Sequence, residues 1–187
     1  MMNNYISIYD DVLSKNYCQD LIKRFESNPQ HHDTVHTTHD TWKMSFTQIN
    51  LYEHDIFRDD VSALTQLFGE AIEQYKIDNG IEPHQWPQKY TLEQIRMKRY
   101  LPGGNERFDA HVDVSDYDSA RRFLAAFFYL NDDFIGGETD FPKLQIMAKP
   151  KPGRLIMFPP MWGWTHRSHP IVSGTPKYII GTYLHYK

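Results

Sequence analysis

The chain has 187 residues and a mass of 22.2 kDa, with 40% hydrophobic and 14% aromatic residues, enough for one domain that buries roughly 70% of the surface its unfolded form exposes. No run approaches the ~18 consecutive apolar residues of a membrane span, and a net charge of -4 without a long basic stretch argues against nucleic acid as the partner. Residues 1–10, MMNNYISIYD, have neither the basic start nor the apolar centre of a secretory signal, and the single cysteine, Cys18, cannot form an internal disulfide, so a reducing cytoplasm is the expected location.

In chain order, Cys18, Leu21, Ile22 and Phe25 recur at helical spacing and predict a helix over 15–26. The polar stretch 29-PQHHDTVHTTHD-40 reads as a flexible surface loop, which together with Trp42 to Phe46 is expected to form a lid over substrate. Val61, Leu64, Leu67, Phe68 and Ile72 predict a second helix over 58–76. From about residue 92 the pattern shortens into strand-length runs, 93–100, 107–113, 122–130, 153–158 and 177–184, separated by turn residues such as Pro102, Gly103, Gly104, Gly136 and Gly137. No repeat, low-complexity segment or linker marks a boundary. The expected fold is α+β and mainly β, a double-stranded β-helix (jelly roll) with N-terminal supporting helices. It is read as one domain over 1–187, with helical support to about residue 90 and the jelly-roll core from about 91.

The chemistry centres on His111-Val112-Asp113, because alternation along a strand turns the imidazole and the carboxylate to the same face. With 10 histidines in the chain, an H-x-D match arises by chance about once, and a second copy, His31-His32-Asp33, does occur. That copy lies in the polar stretch, whereas Phe108, Ala110 and Val112 give the other a packing face. Two histidines and a carboxylate can hold a metal and leave adjacent positions open. The third ligand must then come from a distant strand, and His166 is the candidate, with His169 as its rival on the opposite face of the same strand.

The segment 165-THRSHPIVSGTPKYIIGTYL-184, with 136-GGETDFP-142 and His111-Val112-Asp113 before it, resembles the prolyl 4-hydroxylase-like branch of the Fe(II)/2-oxoglutarate-dependent dioxygenases. The likeness covers residues 92–185, and 5-YISIYDDVLSKNYCQDLI-22 is similar to the family's opening strand and helix. It implies Fe(II) on His111, Asp113 and His166, with 2-oxoglutarate and O2 as cosubstrates and succinate and CO2 released as an aliphatic carbon is hydroxylated. The presence of Asp113 points to hydroxylation, since related halogenases lack that carboxylate. The resemblance also implies that Lys177 pairs with the remote carboxylate of 2-oxoglutarate. In the family's commonest pattern the basic residue lies one step nearer the distal histidine, and here Pro176 precedes it. Tyr100 and Tyr129 match positions that hydrogen-bond the cosubstrate, and Tyr183 a position where the family often has Trp. Each tyrosine is equally consistent with a core aromatic whose hydroxyl is satisfied, and Trp162 and Trp164 with either pocket wall or ordinary packing.

Peptidyl proline is the first expectation for substrate, with a free amino acid or other small molecule as the alternative. A zinc hydrolase would use similar ligands, but Lys177 and the missing H-E-x-x-H helix speak against it. A catalytically silent jelly-roll binding module is the remaining reading. Neither nucleic acid nor membrane is expected as a partner, and the sequence sets no oligomeric state.

Overall fold

Residues 4–39 and 42–187 are described in a computed structural model. In chain order the elements are β1 (Ser7–Tyr9), α1 (Lys15–Glu26), β2 (Asp33–His39), β3 (Trp42–Asn50), α2 (Arg58–Asp78), β4 (Tyr90–Leu92), β5 (Arg96–Tyr100), β6 (Arg107–His111), β7 (Arg122–Tyr129), β8 (Phe134–Gly136), β9 (Thr139–Phe141), β10 (Ile146–Ala148), β11 (Leu155–Phe158), β12 (His166–Ser168), β13 (Ile171–Gly174) and β14 (Lys177–Tyr186). Helix α1 spans the residues its periodicity predicts, because the Ser14 hydroxyl accepts from the Tyr17 N–H at 3.2 Å and fixes its start. Helix α2 runs slightly past the expected end.

The strands pair antiparallel in the order β1-β11-β7-β14-β5-β3-β6-β12-β9-β10, with β2 added on β3, β4 on β14, and β8 with β13 as a separate ribbon. This long sheet folds over into a jelly roll. Strand β7 explains why: its two faces meet two different cores. Leu124, Ala126 and Phe128 face the helices and pack with Leu21, Phe25, Phe68 and Ile72, whereas Ala125 and Tyr129 face the interior with Phe141, Ile156 and Phe158. A strand covered on both sides reads as the unbroken apolar run 122-RFLAAFFYL-130 rather than as an alternation. Strand β14 repeats the scheme, with Ile180 and Leu184 toward the helices and Ile179 and Tyr183 toward the interior.

The first half of the chain is not purely helical support. The stretch expected to be a flexible lid forms β2 and β3, and β3 is built into the sheet between β5 and β6. The reason is β-branching. Thr34, Val35, Thr37 and Thr38 favour extended backbone even though their strand is polar, and β2, pairing only with β3, is an edge where polar side chains meet solvent. Residues 40 and 41 lie outside the described residues.

Gly153 ties the start of α1 to the sheet. Its carbonyl accepts from the N–H groups of Val12 and Leu13, and its φ of +78° is one that other residues avoid. A β-carbon there would lie 2.0 Å from the Leu13 carbonyl oxygen. Gly153→Ala is therefore expected to lower stability by about 2 kcal/mol or more. Urea unfolding should show a lower midpoint at unchanged slope; an unchanged midpoint would show that this junction yields freely.

Candidate active site

The site is built where β6 meets β12. In that antiparallel pair His111 lies directly opposite His166, so two imidazoles from distant segments face one another with ring centroids 4.3 Å apart. Strand β6 ends at His111, and Asp113 lies just past it, held there by its own N–H donating to the Pro160 carbonyl at 2.9 Å. The expected strand to residue 113 is thus shorter, and backbone capture at Pro160 aims the carboxylate. Asp113 Oδ1 lies 3.3 Å from His111 Nε2, and Oδ2 lies 3.5 Å from His166 Nε2. One ligand atom from each of the three residues falls within 4.8 Å of the others, and no second group of this kind occurs among the described residues.

Hydrogen bonds decide which nitrogens face the centre. His111 Nδ1 is 2.7 Å from the Asp109 carbonyl oxygen, and His166 Nδ1 is 3.1 Å from that of Trp164. A carbonyl only accepts, so both Nδ1 atoms carry the proton and both Nε2 atoms present a lone pair inward. Phe108 stacks on the His111 ring at 3.4 Å between centroids and holds its plane. Burial lowers the His166 pKa to about 4 against the opposing attraction of Asp113. Burial would raise the Asp113 carboxyl, but the imidazoles of His166 and His111 and a hydrogen bond from Tyr183 outweigh it and hold it well below the usual carboxylate range. Two imidazoles with Nε2 directed inward and an ionised carboxylate, all largely buried, form a donor set that fits a divalent iron.

These side chains open on a cavity that runs among β5, β7, β12 and β14. At its far end Lys177, the first residue of β14, is 1% exposed. It pairs in register with Tyr100 on β5. Its ammonium donates to the Gly137 carbonyl at 2.6 Å and the Ser168 hydroxyl at 2.8 Å, and lies 5.4 Å and 5.5 Å from the ring centres of Tyr100 and Tyr129. Gly137 must be glycine here, since its φ is +73° and a β-carbon would lie 3.1 Å from Lys177 Cδ. No carboxylate touches this ammonium among the described residues. Tyr100 lines the same cavity and its hydroxyl has no hydrogen-bond partner among the described residues. Tyr129 is placed differently: its ring flanks Lys177, but its hydroxyl donates to Thr139 Oγ1 at 2.6 Å, leaving Thr139 to line the cavity.

Of the rival and neighbouring residues, His169 is engaged by Asp140 at 3.3 Å and stands outside the triad. Trp164 donates its indole N–H to the Asn4 carbonyl, Trp162 is 80% exposed, and neither lines the cavity. Tyr183 does line it, under the Arg122 guanidinium at 4.1 Å. Arg122 also donates to the Asp113 carbonyl and is paired with Glu93. The parts played by Arg122, Ser168 and Thr139 depend on contacts across the sheet and leave no local signal in the sequence. Lys98 did leave one, because it alternates with Tyr100 along β5 and shares its inward face.

Comparison with known proteins agrees with this geometry. The 2OG-Fe(II) oxygenase superfamily matches residues 95–185, about half of the chain and nearly all of the region from β5 to β14. A protein of Acanthamoeba polyphaga mimivirus named "Putative prolyl 4-hydroxylase" is 35% identical over 88 residues, 43% of this chain; the match spans only 36% of that relative's length. The viral collagen prolyl hydroxylase of Paramecium Bursaria Chlorella virus-1, solved with 2OG, superposes with a TM-score of 0.66 at 22% identity, covering 98% of this chain and 96% of that one. A Trichoplax adhaerens prolyl hydroxylase, solved with a hypoxia inducible factor peptide fragment, superposes with a TM-score of 0.74 at 14% identity, covering 98% and 84%. At such identities the two structures bear on the fold alone. The family match over residues 95–185 identifies this chain as a member of the 2OG-Fe(II) oxygenase superfamily.

Proposed function

We propose that this chain is a 2-oxoglutarate-dependent hydroxylase in which His111, Asp113 and His166 hold Fe(II) and Lys177 binds the remote carboxylate of 2-oxoglutarate. The observation that carries the reading is the pairing, in one cavity, of a triad with inward lone pairs and a buried ammonium that touches no anion among the described residues. A zinc hydrolase has no use for such an ammonium. Bound iron supplies the activation of O2 that couples decarboxylation of 2-oxoglutarate, giving succinate and CO2, to hydroxylation of an aliphatic carbon. The chain's own residues orient and shield. His111 and His166 are fixed by their Nδ1 bonds, Lys177 sets the depth of the cosubstrate, and Tyr100 offers its free hydroxyl beside it. Tyr129 acts by fixing Thr139 and flanking Lys177.

The named activities of the relatives support a prolyl residue in a peptide as first substrate, with a free amino acid or another small molecule as the alternative. Packing of α1 and α2 on the sheet supports reading residues 1–187 as one domain. No helix among the described residues is long and apolar enough to cross a membrane, and the lone buried thiol of Cys18 supports a cytoplasmic setting.

Supplied with Fe(II), 2-oxoglutarate and O2, the wild-type protein is expected to release succinate and Asp113→Ala to release none; equal release from both would remove Asp113 from the metal. Lys177→Met should raise the KM for 2-oxoglutarate about 100-fold, the cost of losing one partner of a buried charge pair, while leaving metal affinity intact. An unchanged KM would move the remote carboxylate elsewhere.

Stability should also report Lys177. Burial lowers its pKa to about 7, against the attraction of Glu138, from an ordinary value of 10.5. Between those two values the unfolded chain binds more protons than the folded one, so the penalty is full below about pH 7 and fades as pH rises toward 10.5. Without ligand, wild-type stability relative to Lys177→Met is expected to climb between those pH values, and a flat difference would show that the ammonium is compensated.

A further inference from the structure

Lys98 is a second cation in the cavity, and the proposed chemistry leaves it without a task. It sits mid-strand on β5, opposite Ile179 of β14 and Gln48 of β3, on the inward face shared by Arg96 and Tyr100. The other basic residues around it are committed. Lys177 is held by Gly137 and Ser168, Arg122 by Glu93, Arg167 by Asp140, and Arg96 by Gln94. The Lys98 ammonium has no hydrogen-bond partner among the described residues and lies 4.6 Å from the centre of the Phe46 ring.

Its position separates two spaces. The inner cavity reaches from the triad to Lys177, while an outer groove runs from the triad past Trp42, Met44 and Ser115. Lys98, Phe108, His111, Asp113 and Tyr183 line both, so Lys98 stands at the wall where a molecule entering from outside meets the metal site. Charge balance then decides what it faces. A divalent metal is offset by Asp113 and the metal-binding carboxylate of 2-oxoglutarate, and Lys177 by the remote one. Lys98 remains, beside Arg96 whose partner Gln94 is neutral, and a half-buried ammonium without a hydrogen-bonded anion is poorly compensated.

We infer that Lys98 is a specificity-determining residue that binds a carboxylate of the prime substrate next to the carbon to be oxidised. The inference rests on the oxygenase reading above and narrows it to substrates with an anionic group near the reacting carbon. That carboxylate can be the α-carboxylate of a free amino acid or chain terminus, or an acidic side chain beside the target residue in a peptide. Phe108, which lines both spaces with Lys98, offers apolar surface that suits the aliphatic part of such a molecule.

The test uses the enzyme loaded with Fe(II) and 2-oxoglutarate without O2, titrated calorimetrically with L-proline, N-acetyl-L-proline, N-acetyl-L-prolinamide, and the acetylated amides of Asp-Pro and Asn-Pro. At least one carboxylate probe is expected to bind about tenfold or more tightly than its neutral counterpart, the worth of one charge-assisted hydrogen bond. L-proline and N-acetyl-L-proline report an α-carboxylate; the Asp-Pro and Asn-Pro pair reports a side chain. Lys98→Met should erase the preference, Lys98→Arg should keep it, and both should retain the wild-type affinity for 2-oxoglutarate and for Fe(II). Equal binding of charged and neutral probes, or no binding of any carboxylate probe, overturns the inference. So does a loss of 2-oxoglutarate or metal affinity in a folded Lys98→Met, which would assign the ammonium to the cosubstrate or to Asp113. Failure of the oxygenase reading is told apart by succinate, because the wild type would then release none from 2-oxoglutarate with Fe(II) and O2.

Discussion

One antiparallel register, His111 of β6 opposite His166 of β12, is the constraint on which the rest of the site depends. Strand pairing holds facing residues about 4.5–5.5 Å apart, close enough for two imidazoles to share one ion yet too far for them to satisfy each other. The carboxylate that completes the set comes from the residue just beyond the strand, where the Pro160 carbonyl has captured the Asp113 N–H. A one-residue slip of β12 would turn His166 to the other face and bring Arg167 in. That slip is opposed by β9, which pairs with β12 from its other side and fixes Arg167 through Asp140.

The second feature of the cavity is that its cations are placed at a cost in stability. A lysine that is 1% exposed and held by a carbonyl and a hydroxyl is poorly compensated in the ligand-free fold. The surrounding rings of Tyr100 and Tyr129 soften the penalty without removing it. On the function proposed above, such a group receives a carboxylate at a set distance from the metal. The two cores of the jelly roll make this affordable, because the helical layer stabilises the sheet from outside while the inner face is given over to the site.

Much of this was legible in the residues, for reasons that differ from element to element. The 15–26 helix and the runs that became β7, β11 and β14 carry strong periodicity or unbroken apolarity, and both survive tertiary packing. The H-x-D pair stands out by motif and strand alternation, His166 and Lys177 through the family resemblance, and the structure brings all four around one cavity. The β2–β3 pair is hidden in the sequence because the polarity of residues 29–40 suggests a loop, while β-branched Thr34, Val35, Thr37 and Thr38 favour extended backbone. Strands β8, β9, β10 and β12 are three residues each, too short for any period to show. The hydroxyl of Tyr129 turns to Thr139, a contact between strands that no local pattern encodes.

The most direct measurement is anomalous X-ray diffraction at the iron edge from crystals grown without O2 in the presence of Fe(II) and 2-oxoglutarate. The account predicts one strong peak within about 2.0–2.3 Å of His111 Nε2, His166 Nε2 and an Asp113 carboxylate oxygen, the range typical of protein–metal bonds, with the remote carboxylate of the cosubstrate on Lys177. A peak at another set of residues, or 2-oxoglutarate bound with its remote carboxylate away from Lys177, would contradict it.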